Sequence, residues 1–184
     1  MYKRQNKGYA VKFLGDNYLH EEPYTTVLQQ MGIEVLYGQE YLTGIWDWLD
    51  KNGKEISIAY LNRPHIAAKY VDYIAEHTDI KIIYYGHDLH FMREFREYEL
   101  TGDIGKKRDS EYWKSIEFSL MHKAAVSYYP SVVEEEAIHD VDETVNVKAI
   151  TAYVYDTFLD NLNQDFAKTV SYTHLRAHET SAHL

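Results

Sequence analysis

Short β-type runs alternate with helical patterns through most of this chain, which points to an α/β fold built on a parallel sheet. Six runs read as strands, at residues 10–14, 33–37, 56–61, 81–85, 125–129 and 145–150. Between them lie helical stretches. One opens at Pro23 and stops at Gly32, and a second spans residues 42–51 and closes at Asn52-Gly53. A third opens at Pro64 and carries Ile66, Tyr70, Tyr73, Ile74 and His77 at helical spacing. Residues 89–99 and 107–123 read as two more helices, the longer with Trp113, Ile116, Leu120 and Met121 on one side. Ser131 and Glu134 form a capping box for a short helix reaching about His139.

The two ends do not fit this pattern. MYKRQ is what GTG TAT AAG AGA CAG encodes when GTG initiates, the end of a transposase mosaic sequence used in library preparation. VSYTHLRAHET is the same sequence reversed and running into its adapter. Residues 1–5 and 170–184 therefore read as adapter-derived, in preference to a native disordered extension. Setting them aside removes Lys3, Arg4, Arg176 and Glu179, and the formal charge moves from −10 to −12. It also removes His174, His178 and His183, so the His-rich tail is not a metal site. Residues 6–156 read as one incomplete domain and 157–169 as a linker toward a further domain.

Charge excludes some partners. With 19 basic against 29 acidic residues, the chain is poorly suited to gripping a phosphate backbone, so nucleic acid is not an expected partner. There is no cysteine, hence no disulfide framework and no thiolate chemistry, which fits a cytoplasmic protein. No apolar run is long enough to span a bilayer.

In an open parallel sheet, ligands gather at the carboxyl ends of the strands. Those ends carry Gly15-Asp16-Asn17, Asn62-Arg63-Pro64-His65, Gly86-His87-Asp88-Leu89-His90 and Pro130-Ser131. We take Asp16, Asn17, Arg63, His65, Gly86, His90 and Ser131 as substrate-binding candidates and His87 and Asp88 as catalytic ones. Each has a plainer reading. His87 can be a turn histidine, Asp88 a cap for the helix that follows, and Arg63 either an anion holder or half of an ion pair. Arg93 and Arg96, among Glu94, Glu97 and Glu99, read as helix-surface charges with local pairing. No metal is expected at His87 and His90, because no second ligand cluster accompanies them. No Walker A loop, GxGxxG or GxSxG motif is present.

The segments LGDN, GIEVLYG, LNRPHIAAKY, IIYYGHDLHFMREFREYELTGD, EFSLMHKAAVSYYPSVVEEEAI and VKAITAY resemble bacterial glycosyltransferases of the family 4 type, with the GT-B fold. The resemblance covers residues 9–156. It implies a Rossmann-like N-terminal, acceptor-side domain of a two-domain enzyme of cell-surface polysaccharide synthesis. Such enzymes move a sugar from a nucleotide-sugar donor to an acceptor with retention, without cofactor or catalytic metal. A histidine just after an N-domain strand often contacts the transferred sugar, and His87, with Asp88 beside it, fits that position. The sequence departs from the family in lacking the donor domain with its paired glutamates and the usual first strand, Gly-containing loop and helix. The expectation is therefore a fragment short of a central strand and inactive alone. Association of the parent with the inner face of a membrane stays open. A non-catalytic α/β sugar- or partner-binding module is the alternative, and a standalone nucleotide-binding protein a weaker third.

Overall fold

The structure is a computed structural model that describes residues 8–150; expectations for residues 1–5, 157–169 and 170–184 lie outside the described residues. Among the described residues six strands are separated by α-helices, six in all, two of them in succession between the fourth and fifth strands. They are β1 (Lys12–Leu14), α1 (Tyr24–Gln30), β2 (Glu34–Leu36), α2 (Gln39–Asn52), β3 (Ile58–Asn62), α3 (Pro64–His77) and β4 (Lys81–Tyr85). Then follow α4 (His90–Thr101), α5 (Ile104–Lys123), β5 (Val126–Tyr129), α6 (Val132–His139) and β6 (Val147–Ala149). Every strand pairing is parallel, and helices flank the strands, so the chain is an α/β protein of Rossmann-like character.

One feature differs from a single continuous sheet. Among the described residues, β1 pairs only with β2, and β3, β4, β5 and β6 form a separate four-stranded sheet in that order. The open edge of β3 explains its unusual exposure, with Ile58 exposed and Leu61 half-buried in a strand of central composition. Despite the break, the two pieces are tied above the sheet. Tyr18, just past β1, has its hydroxyl 2.8 Å from that of Tyr70 on α3.

Within the larger sheet each strand is followed by its next neighbour, so the right-handed crossover rule places α3, α5 and α6 on one face. Alternation along the strands agrees. Ile82, Tyr84, Ser127, Tyr129 and Val147 are buried, whereas Ile83, Tyr85, Val126 and Tyr128 are only half-buried. The core forms where Ala67, Val71 and Ile74 of α3 and Leu120 and Met121 of α5 meet Ile82 and Tyr84. Trp46 of α2 extends it, its ring 4.5 Å from Tyr73 and 5.8 Å from Tyr70.

Two helices are capped by their own N-cap side chains. Ser131 Oγ accepts from the Glu134 amide at 3.4 Å and donates to the Glu134 carboxylate at 3.1 Å, the expected capping box. α5 starts at Ile104, before the expected residue 107, because Asp103 Oδ1 accepts from the Gly105 amide at 2.7 Å and caps it there. The other four helices, α1, α2, α3 and α4, have no side-chain cap from their own N-cap residues Pro23, Gly38, Arg63 and Leu89.

Candidate functional site

β4 ends at Tyr85, and its chain turns outward through Gly86, His87 and Asp88 into α4. Gly86 is buried against the ring of Tyr129 on β5: a Cβ added there would lie 2.6 Å from the Tyr129 hydroxyl and closer still to its ring carbons. The missing side chain lets the loop lie directly on β5, where the Gly86 amide donates to the Tyr128 carbonyl at 3.0 Å. This close seat lifts His87 onto the exposed rim, its ring edge-on to Tyr85 at 4.9 Å.

Arg63 reaches the same place from β3. Its amide donates to the Tyr85 carbonyl at 3.3 Å, and its own carbonyl accepts from the amides of Ile66 and Ala67 at 3.2 and 2.8 Å. Its backbone holds φ 61° and ψ 132°, a conformation that costs a non-glycine residue about 1–3 kcal/mol and persists only where surrounding bonds fix it. His65 follows, exposed, in the first turn of α3.

Asp88, a catalytic candidate whose plainer reading is a cap for α4, does not cap that helix. Instead its carboxylate takes the Arg93 guanidinium at 2.5 Å, and the cap comes from elsewhere. Glu117, fully buried on α5, accepts from the amides of His90 and Phe91 at 2.9 and 3.1 Å, closing the first turn of α4 with a carboxylate from another helix. Its Oε1 also lies 3.3 Å from His90 Nδ1, and the His90 ring packs on Trp113 at 4.7 Å. Burial pushes the Glu117 carboxyl up to about 7, against the pull of the two amide bonds. Burial likewise lowers His90, opposed by Asp88. Beneath them the hydroxyls of Tyr84 and Tyr129 are buried without hydrogen-bond partners among the described residues. Their rings meet edge-on at 6.2 Å, and burial raises the Tyr129 phenol well above its ordinary range.

Burial lowers the His87 imidazole, the charge of Arg63 lowers it further, and Asp88 opposes both. The ring is thus neutral near pH 7, able to donate through one nitrogen and accept through the other.

The candidates from the sequence divide into groups. Arg63, His65, Gly86, His87, Asp88 and His90 converge on the ends of β3 and β4, which are hydrogen-bonded neighbours. Ser131 stands at the end of the next strand, β5, where it caps α6. Asp16 and Asn17 belong to the β1 loop and have other partners. Asp16 binds Lys69 at 2.7 Å and the Tyr70 hydroxyl at 3.3 Å, while Asn17 donates to Glu21 at 2.8 Å. Arg93, expected to pair locally, does bridge Glu94 at 3.1 Å as well as Asp88. Glu117 was not among the candidates, although its sequence signal was present: it falls between Trp113 and Leu120 in the apolar stripe of its helix.

Among the described residues no group of three or more His, Asp or Glu side chains is placed to hold a metal ion, and no helix is long and apolar enough to cross a membrane. A crevice of about 340 Å³ lies at the opposite end of the sheet, lined by Leu49, Gly53, Ile56, His77 and Thr78 among others. Its lining also includes Asp50, Lys54 and Asp79, and none of the candidate site residues singled out from the sequence lies in it.

No protein-family model matches the chain, and neither the curated proteins nor the solved structures give a match.

Proposed function

We propose that this chain is the acceptor-side domain of a retaining, nucleotide-sugar-dependent glycosyltransferase of the GT-B type, acting in cell-surface polysaccharide or glycoconjugate synthesis. One observation carries the reading: an exposed imidazole, His87, stands at the end of a sheet strand next to Asp88 and close to Arg63 on the neighbouring strand end. Sugar hydroxyls are recognised by such groups, which donate and accept at fixed positions on a rigid rim. The block IIYYGHDLHFMREFREYELTGD, resembling family 4 glycosyltransferases, surrounds this histidine and supports the same reading.

In this scheme the bond between the sugar's anomeric carbon and the nucleotide diphosphate breaks, and a bond to an acceptor hydroxyl oxygen forms on the same face. The acceptor's proton leaves with the departing phosphate oxygen. His87 holds a hydroxyl of the transferred sugar, and Asp88, fixed by Arg93, orients the loop or accepts from a second hydroxyl. Gly86 lets the loop sit close on Tyr129, and Glu117 anchors its far end through the α4 amides. The donor nucleotide is held by a second domain.

The test is sugar transfer by the intact gene product, comparing wild type with His87→Ala. We expect at least a hundredfold loss of transfer with the fold retained. A parent that binds no sugar nucleotide would instead leave a non-catalytic binding module.

A further inference from the structure

Arg63 could pair with a carboxylate or hold an anion, and the structure separates these. Among the described residues its guanidinium makes no ion pair within 4 Å, and four acids near the rim have other partners. Asp16 is taken by Lys69 at 2.7 Å and Asp88 by Arg93 at 2.5 Å. Glu134 is held by Ser131 at 3.1 Å, and Glu117 by the His90 and Phe91 amides. The side chain of Arg63 is nonetheless set on a backbone tied to β4 through the Tyr85 carbonyl at 3.3 Å.

Two imidazoles accompany it. His65 is exposed two residues along, and His87 is exposed two residues beyond that same Tyr85. After burial, Arg63 is the next influence lowering His87, which fits its place on the neighbouring strand end, and His65 is among those lowering His90. A chain of formal charge −10 thus gathers basic groups on one rim and leaves the strongest of them without a counter-charge.

We propose that Arg63, His65 and His87 form a pocket for an oxyanion, a phosphate or carboxylate carried by the acceptor. The guanidinium offers a planar fork that suits either group, and each imidazole adds an N–H. A neutral imidazole becomes a stronger donor by taking up a proton when the anion arrives. The assignment to the acceptor rests on the sugar-transfer reading; the pocket itself does not.

The experiment follows the imidazole proton resonances of this chain by NMR at low ionic strength, titrating inorganic phosphate, acetate and uridine diphosphate separately. Phosphate should bind saturably and raise the midpoint of His87. Arg63→Gln should weaken it at least tenfold. His65→Gln, which leaves the strained position untouched, should weaken it severalfold. Uridine diphosphate within about threefold of inorganic phosphate supports an acceptor-borne anion, because the nucleoside then adds nothing. Uridine diphosphate more than tenfold tighter, with the gain lost in Arg63→Gln, assigns the pocket to the donor and overturns the acceptor assignment. No His87 response to phosphate or acetate, or the same response in folded Arg63→Gln, overturns the pocket. If phosphate binds through Arg63 while the parent transfers no sugar, the sugar reading fails and the pocket stands.

Discussion

Gly86→Ala should destabilise the protein far more than a glycine-to-alanine change at an unstrained backbone normally does. The added Cβ would stand 2.6 Å from the Tyr129 hydroxyl and nearer to two ring carbons, well inside the ~3.5 Å at which carbon atoms normally touch. Tyr129 is fully buried between Tyr84 and the α5 side of the sheet and has no route toward solvent. Either the ring or the loop must therefore shift. Overpacking of this kind costs about 1–3 kcal/mol, and the immobility of both partners places this case near 3 kcal/mol. In urea, with a slope of about 1–3 kcal/mol/M, the unfolding midpoint should fall by roughly 1–3 M. Tyr129→Leu removes the clashing atoms and also a buried hydroxyl without a partner. The double variant should therefore be more stable than the sum of the singles by at least about 1 kcal/mol. A Gly86→Ala protein within about 0.5 kcal/mol of wild type, or additive with Tyr129→Leu, would refute the close-seating explanation of this glycine.

Three further outcomes can be checked. The Glu117 carboxyl is raised by burial to about 7 from an ordinary value near 4.5, so the folded protein holds a proton there that the unfolded chain has released. Its stabilising effect is full below about pH 4.5 and is lost as pH rises through 7, a span of about 3 kcal/mol. Glu117→Gln should flatten that part of a stability–pH profile; an unchanged slope between pH 4.5 and 7 would contradict it. Ser131→Ala removes the α6 cap and should cost about 1 kcal/mol, seen as faster hydrogen exchange at the Glu134 amide with α4 unaffected. Asp16→Ala breaks a half-exposed pair with Lys69 and should change stability by less than about 1 kcal/mol in a denaturant titration.

The elements with strong local signals were legible from sequence alone. The β4 run at residues 81–85 and the Ser131 cap lie where the pattern puts them, because strand composition and capping chemistry are local. What the chain hid was set by distant partners. The cap of α4 went to Glu117, twenty-seven residues from His90, which freed Asp88 to bind Arg93. An acid inside the apolar stripe of α5 was the available clue. Strand order is likewise non-local, so the separation of β1 and β2 from the four-stranded sheet does not appear in any hydrophobic pattern. The site was legible as a rim, since strand ends mark it. Which side chains share that rim was not: Asp16 and Asn17 sit on loops whose partners, Lys69 and Glu21, no spacing reveals.

The most direct measurement of the central claim is amide chemical-shift mapping of this chain with a simple methyl hexoside and with a nucleotide sugar. Shifts confined to Arg63, His65, Gly86, His87, Asp88 and His90, and lost in His87→Ala, are the predicted result. No shift at saturating concentration, or shifts gathered around Gly53 and His77 at the opposite end of the sheet, would contradict it.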